Sequence, residues 1–117
     1  MNVVFTNNPV VAKRYPDIVR YFDKDVQYIF TAVRDEIHKG ATLVSHPLSG
    51  SVKPYQSPYK SVAVSLSIGS VDLKSLQIIE DALGVLRKFE FAKRRDFNES
   101  ILDDYMTIDL DLITNAV

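Results

Sequence analysis

Length, composition and charge exclude several classes of protein. The chain has 117 residues, of which 46% are hydrophobic and 25% charged, as in a single globular domain and unlike disordered or fibrous chains. Lys and Arg number 14 against 15 Asp and Glu, so the formal net charge of -1 gives no general attraction for nucleic acid or an anionic membrane. Cys is absent and His occurs twice, which excludes disulfides, a thiol nucleophile, cysteine-ligated metals and a histidine-rich metal centre.

Cellular location follows from the same reading. No apolar run approaches the roughly 18 residues of a membrane span, and the first residues lack the basic region of a signal peptide. We therefore expect a cytoplasmic protein with neither a nucleic acid nor a membrane as partner. No cofactor-binding motif is present, and we predict no cofactor.

The first third of the chain alternates between strand and helix signals. An apolar run at 3–5 predicts a strand, and a short helix at 10–15 follows, with Pro9 in its first turn and Asn8 as its cap. Residues 18–22 predict a second strand. A longer helix ends at Gly40 and places five apolar residues on one face: Val26, Ile29, Phe30, Val33 and Ile37. A third strand is predicted at 41–45.

A long connection at 46–59 separates this part from a fourth strand. In that strand Val62, Val64, Leu66 and Ile68 alternate with small residues, mostly Ser, which indicates a less buried face and a position toward the sheet edge. A helix then opens at Ser70 or Asp72 and is predicted to end in the basic segment 93–95. Its apolar stripe consists of Leu73, Leu76, Ile79, Leu83 and Leu86.

The last segment, 99–116, fits two structures. A helix capped by Asn98 would bury Ile101, Tyr105, Ile108 and Leu112, whereas alternation over 106–112 fits a strand; the cap signal favours the helix. Four apolar residues lie outside this helical stripe and predict a homodimer: Leu102, Met106, Leu110 and Ile113. The aspartates in this segment, at 103, 104, 109 and 111, converge in neither structure, so no metal site is predicted.

The order of elements predicts the fold class. Strands that alternate with helices are typical of βαβ units. We therefore expect a single α/β domain over residues 1–117, built as a three-layer sandwich. Its mainly parallel, Rossmann-like sheet of four to five strands would be flanked by helices on both faces.

Ligands of open α/β sheets bind beyond the carboxyl ends of the strands, and two segments would share that edge if the first and third strands are parallel. They offer amide, hydroxyl and cationic groups suited to a phosphate or carboxylate. The predicted ligand-binding residues are Thr6, Asn7, Asn8, His46, Ser49, Gly50, Ser51, Lys53, Tyr59 and Lys60. The alternative is structural, with Asn8 as a cap, His46 as a loop-holding hydrogen-bond partner and the Ser-Gly-Ser run as a flexible turn.

Catalysis has less support in the sequence. His46 is the candidate acid or base, together with Ser49, Ser51 or Lys53, but no strand-turn-helix nucleophile elbow surrounds it. The residues select no reaction.

Four stretches resemble the GrdX family, whose members are small proteins encoded beside glycine reductase genes. They are 6–9 (TNNP), 34–40 (RDEIHKG), 46–54 (HPLSGSVKP) and 57–62 (SPYKSV), within about the first 70 residues. The family has no established activity, so the resemblance implies an accessory role and transfers no catalytic residue.

Three hypotheses remain open. The leading one is an accessory or regulatory protein that binds a small anion at the two segments. The second is a small transferase or hydrolase that uses His46 with Lys53 or Lys60. The third is an interaction subunit that docks on a glycine reductase component.

Overall fold

The computed structural model describes residues 2–48, 57–88 and 93–117. Within these ranges, four strands form one sheet and four α-helices pack against it. In chain order the elements are β1 Asn2–Thr6, α1 Pro9–Arg14, β2 Val19–Tyr21, α2 Val26–Lys39, β3 Thr42–Leu43, β4 Ser61–Ser65, α3 Leu73–Lys88 and α4 Glu99–Thr114, with a short 3-10 turn at Arg94–Asp96 before α4.

The sheet is mixed, and the prediction of a mainly parallel, Rossmann-like sheet is wrong. The strand order is β2-β1-β4-β3; β1 pairs with β2 in parallel, whereas β4 is antiparallel to both β1 and β3. The reason lies in the connection between β3 and β4. A parallel pair needs a crossover, usually a helix, and none was predicted between these two strands. β4 also lies in the interior of the sheet, not toward its edge.

Strand direction nevertheless brings the two predicted segments together. Because β1 and β3 both run antiparallel to β4, they point the same way, and β2 is parallel to β1. The carboxyl ends of these three strands therefore lie at the same edge as the start of β4. We call this the C-terminal edge of the sheet.

One face of the sheet is covered by α2 and α3. The side chains that meet there are apolar and come from β1, β4 and both helices. The buried set is Val3, Phe5, Val26, Ile29, Phe30, Val33, Ile37, Val62, Val64, Ile79, Ala82 and Leu83. Burial of apolar area on this scale is the main source of stability for a small domain.

The other face is covered by α1 and α4. Its fully apolar core is much smaller and consists of Val4, Val11, Ala63 and Ile113. Polar side chains fill the space between this core and the C-terminal edge, and they form the site described below.

Helix ends agree with the local signals in the sequence. Asn8 and Asn98 cap α1 and α4 through their side-chain oxygens, which confirms both predicted caps. Gly40 ends α2 with a φ of 120°, and a Cβ there would lie 2.5 Å from the Gly69 nitrogen. Backbone conformation and this close approach both require glycine at that position.

Two other helix predictions need correction. α3 is described to Lys88, and the basic segment 93–95 does not end it, because Lys93 has an extended backbone and Arg94 begins the 3-10 turn. Leu73, assigned to the apolar stripe of α3, is 75% exposed. None of the helices described here is long and apolar enough to cross a membrane.

The C-terminal segment is a helix, as favoured, but it turns a different face to the core. Ile101 and Ile108 are exposed, whereas Ile113 is buried and Leu110 packs against the same small core. The apolar residues on which the homodimer prediction depended thus include core residues of the single chain. The homodimer itself stays a prediction.

Candidate functional site

Asn7 fixes the chain that leads into β4. Its Oδ1 accepts a hydrogen bond from the Lys60 backbone nitrogen at 3.0 Å, and its Nδ2 donates to the Pro58 and Lys24 carbonyl oxygens at 2.9 Å each. All the hydrogen bonds of this buried amide thus go to backbone groups. They hold the residue at 60 in one position at the C-terminal edge of the sheet.

Lys60 is a buried cation. Only 7% of the residue is exposed, whereas the other lysines that the structure describes have exposed positions. Among the described residues, its ammonium has neither a hydrogen-bond partner nor an ion-pair partner within 4.0 Å. Burial lowers the pKa of Lys60, and the charge of Asp109 opposes that shift.

Asp109 on α4 is the buried carboxyl group of the site and is 6% exposed. Its Oδ1 accepts from the Ser61 backbone nitrogen at 3.1 Å, and its Oδ2 accepts from Ser61 Oγ at 2.7 Å and from Asn8 Nδ2 at 3.0 Å. Burial raises the pKa of this carboxyl, while the hydrogen bonds from Ser61 and Asn8 and the charge of Lys60 oppose the rise.

A directional chain of hydrogen bonds joins the end of β1 to Asp109. The Asn8 backbone nitrogen donates to Thr6 Oγ1 at 2.9 Å, and Thr6 Oγ1 lies 2.7 Å from Ser61 Oγ. Since the Ser61 hydroxyl donates to Asp109, the Thr6 hydroxyl is the donor in its bond to Ser61. The chain orients every hydroxyl toward the carboxylate.

A small pocket opens where these residues meet. It is lined by Ser45, Pro47, Lys60, Ser61, Asp109, Leu112 and Ile113. Its volume of about 10 Å³ is close to the space that one water molecule needs. Ser45 Oγ accepts from the Ala63 nitrogen at 2.8 Å, so its proton can be donated to a ligand. The pocket thus combines a cation, a hydroxyl donor and a carboxyl group.

The structure brings together four of the residues predicted for the site: Thr6, Asn7, Asn8 and Lys60. Of these, Lys60 alone lines the pocket, while Thr6, Asn7 and Asn8 direct their side chains to protein groups. Tyr59 is 4% exposed; burial raises the pKa of its hydroxyl and the charge of Arg94 lowers it.

The remaining predicted residues lie in the long connection before β4. His46 is exposed, and its Nδ1 accepts from the Leu48 nitrogen at 3.1 Å. It therefore caps a local turn, with Nε2 left for other contacts. The predicted Ser49, Gly50, Ser51 and Lys53 lie outside the described residues.

Sequence reasoning missed Ser45, Ser61 and Asp109. Asp109 lies four residues before the buried Ile113, and this helical spacing puts both side chains on the same face of α4. An acidic residue on an apolar helix face is the signal that could have identified it. No group of three His, Asp or Glu side chains in the described ranges is arranged to hold a metal ion.

Comparisons with known proteins give one match. A family model described as GrdX-like protein matches residues 3–117, nearly the whole chain. No curated protein and no solved structure matches.

Proposed function

The chain belongs to the family of GrdX-like proteins, and we propose that it is a cytoplasmic accessory protein of the glycine reductase system that binds a small carboxylate at Lys60. Its family supports the association with glycine reductase. The proposal for the ligand depends on one observation. The side chain of Lys60 is largely buried and lines a pocket, and its ammonium has no counter-ion within 4.0 Å among the described residues.

Electrostatics favour an anion as the missing partner. Taking an ammonium out of water costs several kcal/mol unless an opposite charge or strong acceptors replace the water. Asp109 provides part of that compensation, but its oxygens already accept bonds from Ser61 and Asn8. A ligand carboxylate at Lys60 would supply charge-assisted hydrogen bonds that the protein alone does not.

Pocket size favours a carboxylate over a phosphate. The pocket has about the volume of one water molecule. A planar two-oxygen group would therefore require less movement of the lining side chains than a tetrahedral phosphate. One carboxylate oxygen would accept from Lys60 and the other from the Ser45 hydroxyl. Pro47 and Leu112 at the pocket would contact the carbon atom that carries the carboxylate.

The test is a titration of the protein with acetate, formate and inorganic phosphate at constant ionic strength, followed by amide NMR shifts and by Tm. We expect acetate and formate to shift the amides of Ser45, Lys60 and Ser61 and to raise Tm by mass action. Lys60→Met should lose both responses. Lys74→Met, which removes an exposed lysine of α3, is the matched control and should keep them.

Equal responses in the wild type and in Lys60→Met, or no response to any anion, would contradict the proposal. The second result would favour the alternative of docking on a glycine reductase component. One observation supports that alternative. Ile68 is 97% exposed and Leu73 75% exposed, and both lie in or beside the connection between β4 and α3. The alternative of a transferase or hydrolase at His46 gains no comparable support from its exposed position.

A further inference from the structure

We propose that Lys60 is a nucleophilic amine that forms an imine with the carbonyl carbon of a small 2-oxo acid, with Asp109 as the proton donor. This inference rests on the proposed carboxylate site, because it names the class of carboxylate. In a 2-oxo acid the carbonyl carbon is bonded directly to the carboxylate. A ligand whose carboxylate accepts from the Ser45 hydroxyl in this pocket therefore places an electrophilic carbon beside the Lys60 amine once that amine has lost its proton.

Burial favours the neutral form of the Lys60 amine, which is the nucleophilic form. An imine-forming lysine must spend part of its time uncharged, and desolvation is one of the ways in which proteins achieve this. Lys60 is buried, and the resulting shift of its pKa increases the neutral fraction. Burial of Asp109 shifts its pKa in the complementary direction, toward a carboxyl that holds a proton. Both shifts favour the same pair, a neutral amine beside a protonated carboxyl.

Asp109 is placed to exchange that proton. It lines the same pocket as Lys60, and no direct ion pair within 4.0 Å joins the two described side chains. The pocket that both residues line has about the volume of one water molecule, which is the group that leaves in this reaction. Oδ1 accepts only the Ser61 backbone bond and keeps room for a proton, while Ser61 Oγ and Asn8 fix the orientation of Oδ2.

The step balances without an oxidant or reductant. The Lys60 nitrogen forms a bond to the carbonyl carbon, and the carbonyl π electrons move to oxygen, which takes up the proton released by the amine. Asp109 then donates its proton to this hydroxyl, the carbon-oxygen bond breaks and water leaves. The nitrogen lone pair completes the C=N bond. The products are a protonated imine and the Asp109 carboxylate, so the net charge of the pair is unchanged.

The experiment is reductive trapping of the wild-type protein with glyoxylate, the smallest 2-oxo acid, and cyanoborohydride, with the labelled lysines located by peptide mass spectrometry. The exposed Lys24 and Lys74 of the same molecule serve as internal controls. The neutral fraction of an amine rises about tenfold for each unit by which its pKa falls. Because burial lowers the pKa of Lys60, we expect this lysine to be labelled several-fold faster than either control.

Two further arms separate the roles of the residues. Asp109→Asn, which keeps an acceptor for Ser61, should slow labelling of Lys60 and alter the pH profile of that labelling. Glyoxal, a small carbonyl compound without a carboxylate, should label Lys60 more slowly than glyoxylate does.

The outcomes distinguish this inference from the proposed function. Acetate binding at Lys60 with labelling no faster than at Lys24 and Lys74 would overturn the imine and leave the carboxylate site intact. Rapid labelling of Lys60 by glyoxylate and glyoxal alike, without acetate binding, would retain the nucleophile but reject the carboxylate site and the choice of a 2-oxo acid. Rapid, glyoxylate-selective labelling together with acetate binding would support both.

Discussion

The two faces of the sheet use opposite chemistry to hold their helices. Under α2 and α3 the buried cluster is almost entirely apolar, and Phe30 is its largest fully buried side chain; the buried Ser75 of α3 adds one polar contact by accepting from the Leu43 nitrogen at 3.0 Å. Under α1 and α4 the apolar core is small, and a hydrogen-bonded group that includes Asn8, Ser61 and Asp109 holds α4 to the end of β1 and the start of β4. The strands supply both chemistries, because alternate residues of β1 and β4 point to opposite faces.

This difference separates stability from function. Apolar burial has no direction, so the α2-α3 face tolerates exchange of one apolar side chain for another if volume is kept. The polar face is directional, because the donors of Asn8 and Ser61 each have a defined acceptor oxygen on Asp109. It positions Lys60 and Asp109 at the pocket and gives up apolar burial to do so.

The largest expected loss of stability comes from a substitution in the apolar core under α2 and α3. Phe30→Ala should lower the free energy of unfolding by about 3–5 kcal/mol, because it removes a fully buried ring and leaves a cavity. Urea denaturation measures this loss. Tyr28→Ala on the same helix, at an exposed position, should cost much less. Similar losses in the two variants would mean that α2 does not pack on the sheet through the face described.

The second largest loss of stability is expected on removal of the hydrogen bonds to Asp109. Asp109→Ala should lower the free energy of unfolding by about 2–3 kcal/mol, because donors on Asn8 and Ser61 lose their acceptor in a buried site. Asp109→Asn keeps one acceptor oxygen and should cost less. Asp104→Ala, an exposed aspartate of α4, is the control for removal of a negative charge. The same urea series measures all three, and equal losses for Asp104→Ala and Asp109→Ala would show that these hydrogen bonds add no net stability.

The contrast between the faces also explains which parts of the fold the sequence could predict. The caps at Asn8 and Asn98 and the stop at Gly40 depend on residues within one helical turn, so local chemistry was sufficient. The direction of β4 depends on how it pairs with β1 and β3, which are distant in sequence, and the assumption of parallel βαβ units gave the wrong sheet. The relevant signal was that the sequence predicts no helix between β3 and β4.

The site could be predicted only in part, again because some of its contacts join residues that are distant in sequence. Strand-end reasoning selected the segments that contain Thr6, Asn7, Asn8 and Lys60. It could not show that the side chains of Asn7 and Asn8 would form hydrogen bonds with other groups of the protein. Asp109 was missed because the wrong face of α4 was assigned to the core. Likewise, the face of β4 that carries the alternating Ser residues was predicted to be less buried, whereas Ser61 faces α4 and donates to Asp109.

The smallest expected effect is a pH-dependent change in stability on replacement of Lys60. Lys60→Met should be neutral or stabilising at neutral pH, by about 1 kcal/mol, because it removes a buried charge and keeps most of the side-chain volume. That gain should shrink as pH rises. In the wild type the folded state has a lowered Lys60 pKa, so between that pKa and 10.5 the unfolded state binds more protons. Wild-type stability therefore rises with pH across this window, relative to the variant.

Urea denaturation of both proteins from neutral pH to about pH 10 measures the difference. Asp109 is the charged group that faces Lys60, and it is retained in both proteins, so the change across this window isolates the lysine. Lys74→Met removes an exposed lysine and should follow the wild type at every pH. A constant difference between the wild type and Lys60→Met would mean that Lys60 has the same pKa in the folded and unfolded chains. In that case the polar face would hold no buried lysine charge, and the two faces of the sheet would differ only in their hydrogen bonds.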